Sequence, residues 1–185
     1  MVGVESICND ITVSERGESA MSESVLMAFP AEGHDHRDCV ATALAAAERL
    51  CREQGARLTP QRRRVLELVW RGHRPAKAYE LMQALAEGER PVAPPTVYRA
   101  LDFLMEAGLV HRLASLNAFV GCAAPEHPHA GHFLICTRCE RVAELDAPDV
   151  DELLGERAAE QGFALEHETI ELAGVCAACR QSQPA

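Results

Sequence analysis

The chain has 185 residues, 48% of them hydrophobic, and a formal net charge of −10. That length can bury one sizeable core or two small ones, and no run approaches the roughly 18 apolar residues that a membrane-spanning helix needs. Because the first residues also lack the basic start and apolar core of a secretory signal, we expect a cytoplasmic protein with no membrane partner and with thiols kept reduced.

Charge is unevenly spread. Residues 1–37 sum to −5, 38–115 to +3 and 116–185 to −8. An acidic chain attracts DNA poorly overall, yet the basic middle third can still present a face to it. Residues 1–37 are acidic and weakly patterned, which predicts a disordered tail. Its HDHRDC stretch offers His34, His36 and Cys39 to a metal, but no rigid neighbour fixes their geometry, so we read it as solvated.

Four helical segments follow within a domain spanning 38–122. In the first, Val40, Leu44, Ala47, Leu50 and Cys51 recur at three- and four-residue steps, giving an apolar face that ends near Gly55 and placing Cys51 in the core. LTPQRRRVLELVW sets Thr59 as N-cap and Pro60 at the first helical position. KAYELMQALAEG forms a third helix closed by Gly88. TVYRALDFLMEAG forms a fourth, from Thr96 to Ala107, burying Val97, Ala100, Leu101, Leu104 and Met105. Thr96, Arg99 and Asp102 face outward with Tyr98 beside them. LVHRLASLNAFVGC then alternates as two strands around a turn at Ser115 to Asn117.

Helices followed by a two-stranded hairpin make a winged helix-turn-helix, whose second motif helix enters the major groove. Here that helix carries Tyr98 and Arg99. Tyr79 either packs in the core or reaches DNA with its hydroxyl. Arg57, Arg62, Arg63 and Arg64 lie around a turn where phosphate contacts need only charge and reach.

Residues 123–130 read as a hinge linker and 131–185 as a second, dimerising domain. HFLIC and RVAEL are strands, DVDELLGERAAEQG is a helix closed by Gly162, and ALEHETIEL is a third strand. The class is therefore α+β, a winged helix followed by a small β-β-α-β unit whose open edge invites a homodimer. Two CxxC pairs, Cys136 with Cys139 and Cys176 with Cys179, can supply four thiolates to one tetrahedral zinc. A redox CxxC needs a helix N-terminus to lower one thiol's pKa, and neither pair begins an obvious helix. At the hinge, His111 and Cys122 on the wing, His127, His129 and His132 near the linker, and Glu144 beyond the first CxxC offer a second cation a mixed donor set. Enzymatic chemistry is disfavoured. Zinc deaminases need HxE followed by PCxxC, which is absent, and four thiolates leave no open position for a small organic substrate or an activated water.

LTPQR, PPTVYRALDFL, HFLICTRC with RVAEL, and the closing CAAC together resemble the ferric uptake regulator family of metal-dependent repressors over about residues 40–180. Within it, PPTVYRALDFLMEAGLVHRL and GFALEHETIELAGVCAAC are most similar to the branch that controls zinc uptake. The resemblance implies a zinc-responsive repressor that binds double-stranded operator DNA as a homodimer and controls uptake genes; an iron-, manganese- or peroxide-sensing repressor is the alternative. It assigns Cys136, Cys139, Cys176 and Cys179 to structural zinc. His111, Cys122, His129 and Glu144 fall to a regulatory zinc, with His127 or His132 as substitutes for His129. A possible third site takes His132, Asp151 and His167, and Tyr79 and Arg99 become base-reading residues. Iron-sensing relatives use only nitrogen and oxygen donors at the regulatory site, so the Cys122 thiolate points to zinc.

Overall fold

The computed structural model describes residues 25–29, 36–72, 74–86, 92–127 and 129–182. A short strand, β1 (Val25–Met27), precedes four helices, α1 (His36–Glu53), α2 (Pro60–Trp70), α3 (Ala78–Ala86) and α4 (Pro94–Glu106). The wing is β2 (Val110–Leu113) paired antiparallel with β3 (Ala118–Gly121). Beyond the linker come β4 (Gly131–Cys136), β5 (Val142–Leu145), α5 (Pro148–Glu160), β6 (Thr169–Gly174) and a short α6 (Ala177–Gln181). The second sheet runs β1-β5-β4-β6, with β6 parallel to β4 and the other pairings antiparallel.

Local chemistry explains the helix boundaries. The Thr59 side chain accepts a hydrogen bond from Arg62 N–H, with Pro60 opening the helix, as the sequence predicts. Glu80 reaches back to accept the Lys77 N–H at 2.9 Å, the reciprocal half of a capping box. Gly108 at φ +69° ends α4, a left-handed conformation that glycine adopts without strain. The predicted closure of α3 at Gly88 lies outside the described residues.

Three expectations need correction. The tail predicted for residues 1–37 is not irregular throughout. Val25 pairs opposite Leu145, Met27 opposite Glu144, and α1 already begins at His36. Three consecutive apolar residues there can cover a sheet edge that otherwise exposes unpaired backbone groups. His34 falls among residues that are not described, while His36 and Cys39 lie in the first turn of α1. The third predicted strand is shorter than ALEHETIEL, because only Thr169–Gly174 pairs with β4. Finally, Cys176 is the N-cap of α6, so one CxxC does begin a helix, although a short one.

Packing divides into two cores that meet at the wing. Leu66, Leu101, Leu104, Leu109, Val110 and Phe119 join the helices in one cluster. Leu113 and Val120 turn the opposite way and pack with Phe133, Ile135 and Val142 of the second sheet. The wing is thus a shared layer, with successive side chains entering different cores because strand side chains alternate. Gly121, at the end of β3, lies flat against Trp70: a Cβ there would fall 2.1 Å from the indole ring. Gly155, inside α5, has open space around it.

We expect Gly121→Ala to destabilise the fold by ~1–3 kcal/mol through this clash, and Gly155→Ala to be neutral or to stabilise by ~0.5–1 kcal/mol. Denaturant unfolding of both variants checks the contrast; equal effects would contradict the Trp70 contact.

Candidate metal centres and nucleic-acid face

The four thiols of the two CxxC pairs converge. Cys136 ends β4, Cys139 follows one tight turn later, and Cys176 and Cys179 flank the start of α6. All four sulfurs lie within 4.8 Å of one another, and Cys139 Sγ is 3.8 Å from Cys176 Sγ. Tetrahedral zinc with Zn–S near 2.3 Å sets its sulfurs about 3.8 Å apart, so the donor set fits. Parallel pairing of β4 with β6 brings the two pairs together, and Thr137 N–H and hydroxyl both donate to the Gly174 carbonyl. Burial pushes the Cys136 thiol up, but backbone N–H groups of Cys139, Cys176 and Arg138 outweigh it and hold the pKa at about 6. Cys179 goes the other way, to about 12, because it bonds to the neighbouring sulfur of Cys176. Four thiolates this close repel one another, so holding all four deprotonated requires a cation. The start of α6 serves the clamp, because the Cys176 N–H donates to Cys136 Sγ at 3.4 Å.

The hinge tetrad joins the wing, the linker and the second sheet. His111 comes from β2, Cys122 immediately follows β3, His129 comes from the linker and Glu144 from β5, with their ligand atoms again within 4.8 Å of one another. Glu144 is completely buried. Its Oε2 accepts the Ala123 N–H at 3.0 Å, while Oε1 lies 3.0 Å from both His111 Nε2 and His129 Nε2. Burial works to raise the carboxyl pKa, but His111, Ala123 and His129 together bring it below the usual carboxylate range. His111 Nε2, although so close, makes no aligned hydrogen bond. A nitrogen and an oxygen aimed at a common centre rather than at each other suit a cation between them.

The linker histidines now separate. His129 points Nε2 into the tetrad, 3.7 Å from Cys122 Sγ, and its Nδ1 lies 2.7 Å from the His127 carbonyl oxygen. That bond fixes the ring and leaves Nε2 free to ligate. His127 contributes its backbone only. His132 lies elsewhere, its Nε2 3.0 Å from Asp151 Oδ1 and 3.5 Å from Glu168 Oε1. This third cluster corrects the predicted set: Glu168, one position along, takes the place of His167, which is exposed with Nδ1 near the Glu166 carbonyl oxygen. A histidine draws attention as a ligand, but the side of the chain that faces His132 is set by the approach to β6.

Of the residues expected to meet DNA, Tyr79, Tyr98 and Arg99 are exposed and Thr96 is half-buried. Tyr79 is therefore not in the core; its hydroxyl donates to Glu80 at 3.1 Å. Arg57 is exposed. The neighbouring arginines have internal partners, which sequence reasoning missed. Arg62 stacks over the Phe103 ring at 3.4 Å and bonds the Arg57 carbonyl, Arg63 pairs with Glu48, and Arg64 with Glu67.

Burial, and then the charge of Glu144, push the Cys122 thiol up to about 12. Without a metal it is protonated at neutral pH, so a cation must displace one proton to bind the thiolate. Affinity of the hinge site for zinc should therefore rise about tenfold per pH unit between pH 7 and 9. Zinc competition titrations across that range check the slope, and a flat profile would exclude Cys122 as a ligand.

The ferric uptake regulator family model matches residues 53–173. Over 137 residues the chain is 46% identical to the zinc uptake regulation protein of Escherichia coli (strain K12), covering 74% of this chain and 80% of that one. It is 31% identical over 135 residues to the peroxide operon regulator of Bacillus subtilis (strain 168), covering 71% and 90%. Among solved structures, a zinc uptake regulator complexed with zinc and DNA superposes with a TM-score of 0.74 at 44% identity, covering 77% of this chain and 95% of that one. Holo XcZur gives 0.71 at 47%, covering 76% and 99%. By sequence and by fold alike, this chain belongs to the ferric uptake regulator family.

Proposed function

We propose that this protein is a zinc-responsive transcriptional repressor that binds operator DNA as a homodimer when its hinge site is filled, and that it controls zinc-uptake genes. The observation that carries this reading is the tetrad of His111, Cys122, His129 and Glu144 joining wing, linker and second sheet. Its single thiolate among two imidazoles and a carboxylate suits zinc better than iron or manganese. Bound zinc supplies the positive charge that these converging donors lack. Resemblance to zinc uptake regulators at 44–47% identity, against 31% for a peroxide regulator, supports the same choice of ion.

The residues then divide the work. Cys136, Cys139, Cys176 and Cys179 hold a structural zinc that closes the end of the second sheet. Asp151, His132 and Glu168 offer a further cation an oxygen-rich set, replacing the trio with His167. The free edge of β6, with exposed Leu153, Leu154, Phe163, Leu165 and Leu172 on the same domain, forms the dimer contact. Arg99, without an ion-pair partner among the described residues, reads a base edge from α4, aided by Tyr79, Thr96 and Tyr98, while Arg57 meets a phosphate.

Switching follows from differential affinity. Moving the DNA-competent arrangement from ~1% to ~99% of molecules requires the cation to favour it by about 10⁴-fold. No helix of the described residues is long and apolar enough to cross a membrane. We place the protein in the cytoplasm as a regulator rather than an enzyme, since a closed four-thiolate site activates no water.

Zinc titration against operator binding tests the reading. Wild-type protein should bind only as the hinge site fills, and Cys122→Ser should lose at least tenfold of that zinc-dependent affinity while retaining the structural zinc. Full zinc-dependent binding by the variant would overturn the hinge assignment.

A further inference from the structure

The tetrad is one tie between the two lobes, and a second exists that uses no metal donor. Glu171 of β6 reaches across to the turn of the wing. Its Oε1 accepts the Ala114 N–H at 2.6 Å, its Oε2 accepts the Ser115 N–H at 3.1 Å, and the Ser115 hydroxyl also donates to Oε2. Three donors on two successive residues thus converge on one carboxylate, a charge-assisted arrangement with a defined direction. β2 has ended at Leu113, so its sheet supplies these turn amides with no partner.

Geometry gives the contact its consequence. The tetrad holds the wing at His111 and Cys122, whereas Glu171 holds its turn at Ala114 and Ser115. In the β4–β6 register Glu171 stands opposite Phe133, whose ring packs 5.2 Å from that of His111. Leu113 and Val120 seat the hairpin on the sheet cluster without directional bonds, and the tetrad and Glu171 add polar ties that fix its angle at two points. The wing in turn carries α4, because Leu109 and Val110 share a buried cluster with Leu101 and Leu104.

We propose that Glu171 is a positioning residue: an interlobe latch on the wing turn that sets, together with the hinge site, the orientation in which α4 meets DNA. This rests on the zinc-dependent reading above, in which one relative orientation of the lobes is the competent one. Each hydrogen bond is solvent-accessible and individually modest, but their loss acts on the same equilibrium that the hinge cation biases. By linkage, weakening the latch weakens operator binding and hinge-zinc binding together.

The test uses the full-length, zinc-loaded protein and its Glu171→Ala and Glu171→Gln variants. At limiting zinc, Glu171→Ala should weaken operator affinity by about five- to tenfold and raise the zinc concentration for half-maximal binding in parallel. The four-cysteine zinc should stay fully bound, which a collapse of the second domain would not allow. Glu171→Gln keeps an acceptor without the charge and should fall between; it is near-isosteric and carries the test if the alanine variant fails to fold. Amide exchange at Ala114 and Ser115, measured without DNA, should quicken in Glu171→Ala. Unchanged operator and zinc affinities in both variants, or losses seen only together with release of the four-cysteine zinc, would overturn the latch. Unprotected Ala114 and Ser115 amides in the wild-type protein would overturn it too. If those amides are protected in the wild type but operator binding ignores zinc, the latch contact stands and the zinc-responsive reading falls.

Discussion

A carboxylate with no exposure to water must be compensated, and Glu144 is the point on which this molecule turns. Left alone, burial raises such a group's pKa until it is neutral. Here Ala123 N–H, His111 and His129 converge on it from two other segments, so its charge is retained only while β5, the wing and the linker are close together. Cys122, which burial and the same carboxylate keep protonated, completes a set of donors with too little positive charge among them. A divalent cation resolves that imbalance and makes the closed arrangement the favoured one.

Such a site can act at a distance only if its neighbours are stiff. The wing provides that stiffness by alternation: Val110 and Phe119 belong to the helical cluster, Leu113 and Val120 to the sheet cluster. Displacing the hairpin from either side exposes buried apolar surface, at about 25 cal/mol per Å². Trp70 seated on Gly121 adds a contact with no slack next to Cys122. The lobes therefore behave as two bodies sharing one layer, and the shared layer bears two of the four tetrad residues.

Much of this was legible in the sequence where the signals are local. Thr59–Pro60 announces a helix start because capping is decided within four residues, and CxxC spacing announces a thiolate clamp because two residues between cysteines suit one turn. His111, Cys122 and Glu144 were legible from their placement at the hinge, but only the resemblance chose His129, because the linker has no periodicity from which to choose among His127, His129 and His132. Longer-range facts stayed hidden. Nothing near Val25 says that it will pair with Leu145, and nothing near Glu171 says that it will meet Ser115. Arg62 has the charge and reach of a phosphate contact, yet it stacks over Phe103, a partner 41 positions away that no local signal announces. For the third site the resemblance points to His167, whereas the chain entering β6 turns Glu168 towards His132, a facing that position in the sequence does not reveal.

The central claim is that filling the hinge site fixes how the two lobes are oriented. Its most direct test is the distribution of distances between non-thiol labels at exposed Glu106 on α4 and exposed Glu156 on α5, recorded with the four-cysteine site loaded alone and then with the hinge site loaded as well. The account predicts a broad intra-subunit distribution, read from dimers in which one chain is labelled, that narrows when the second zinc binds. Identical distributions in the two states would contradict it.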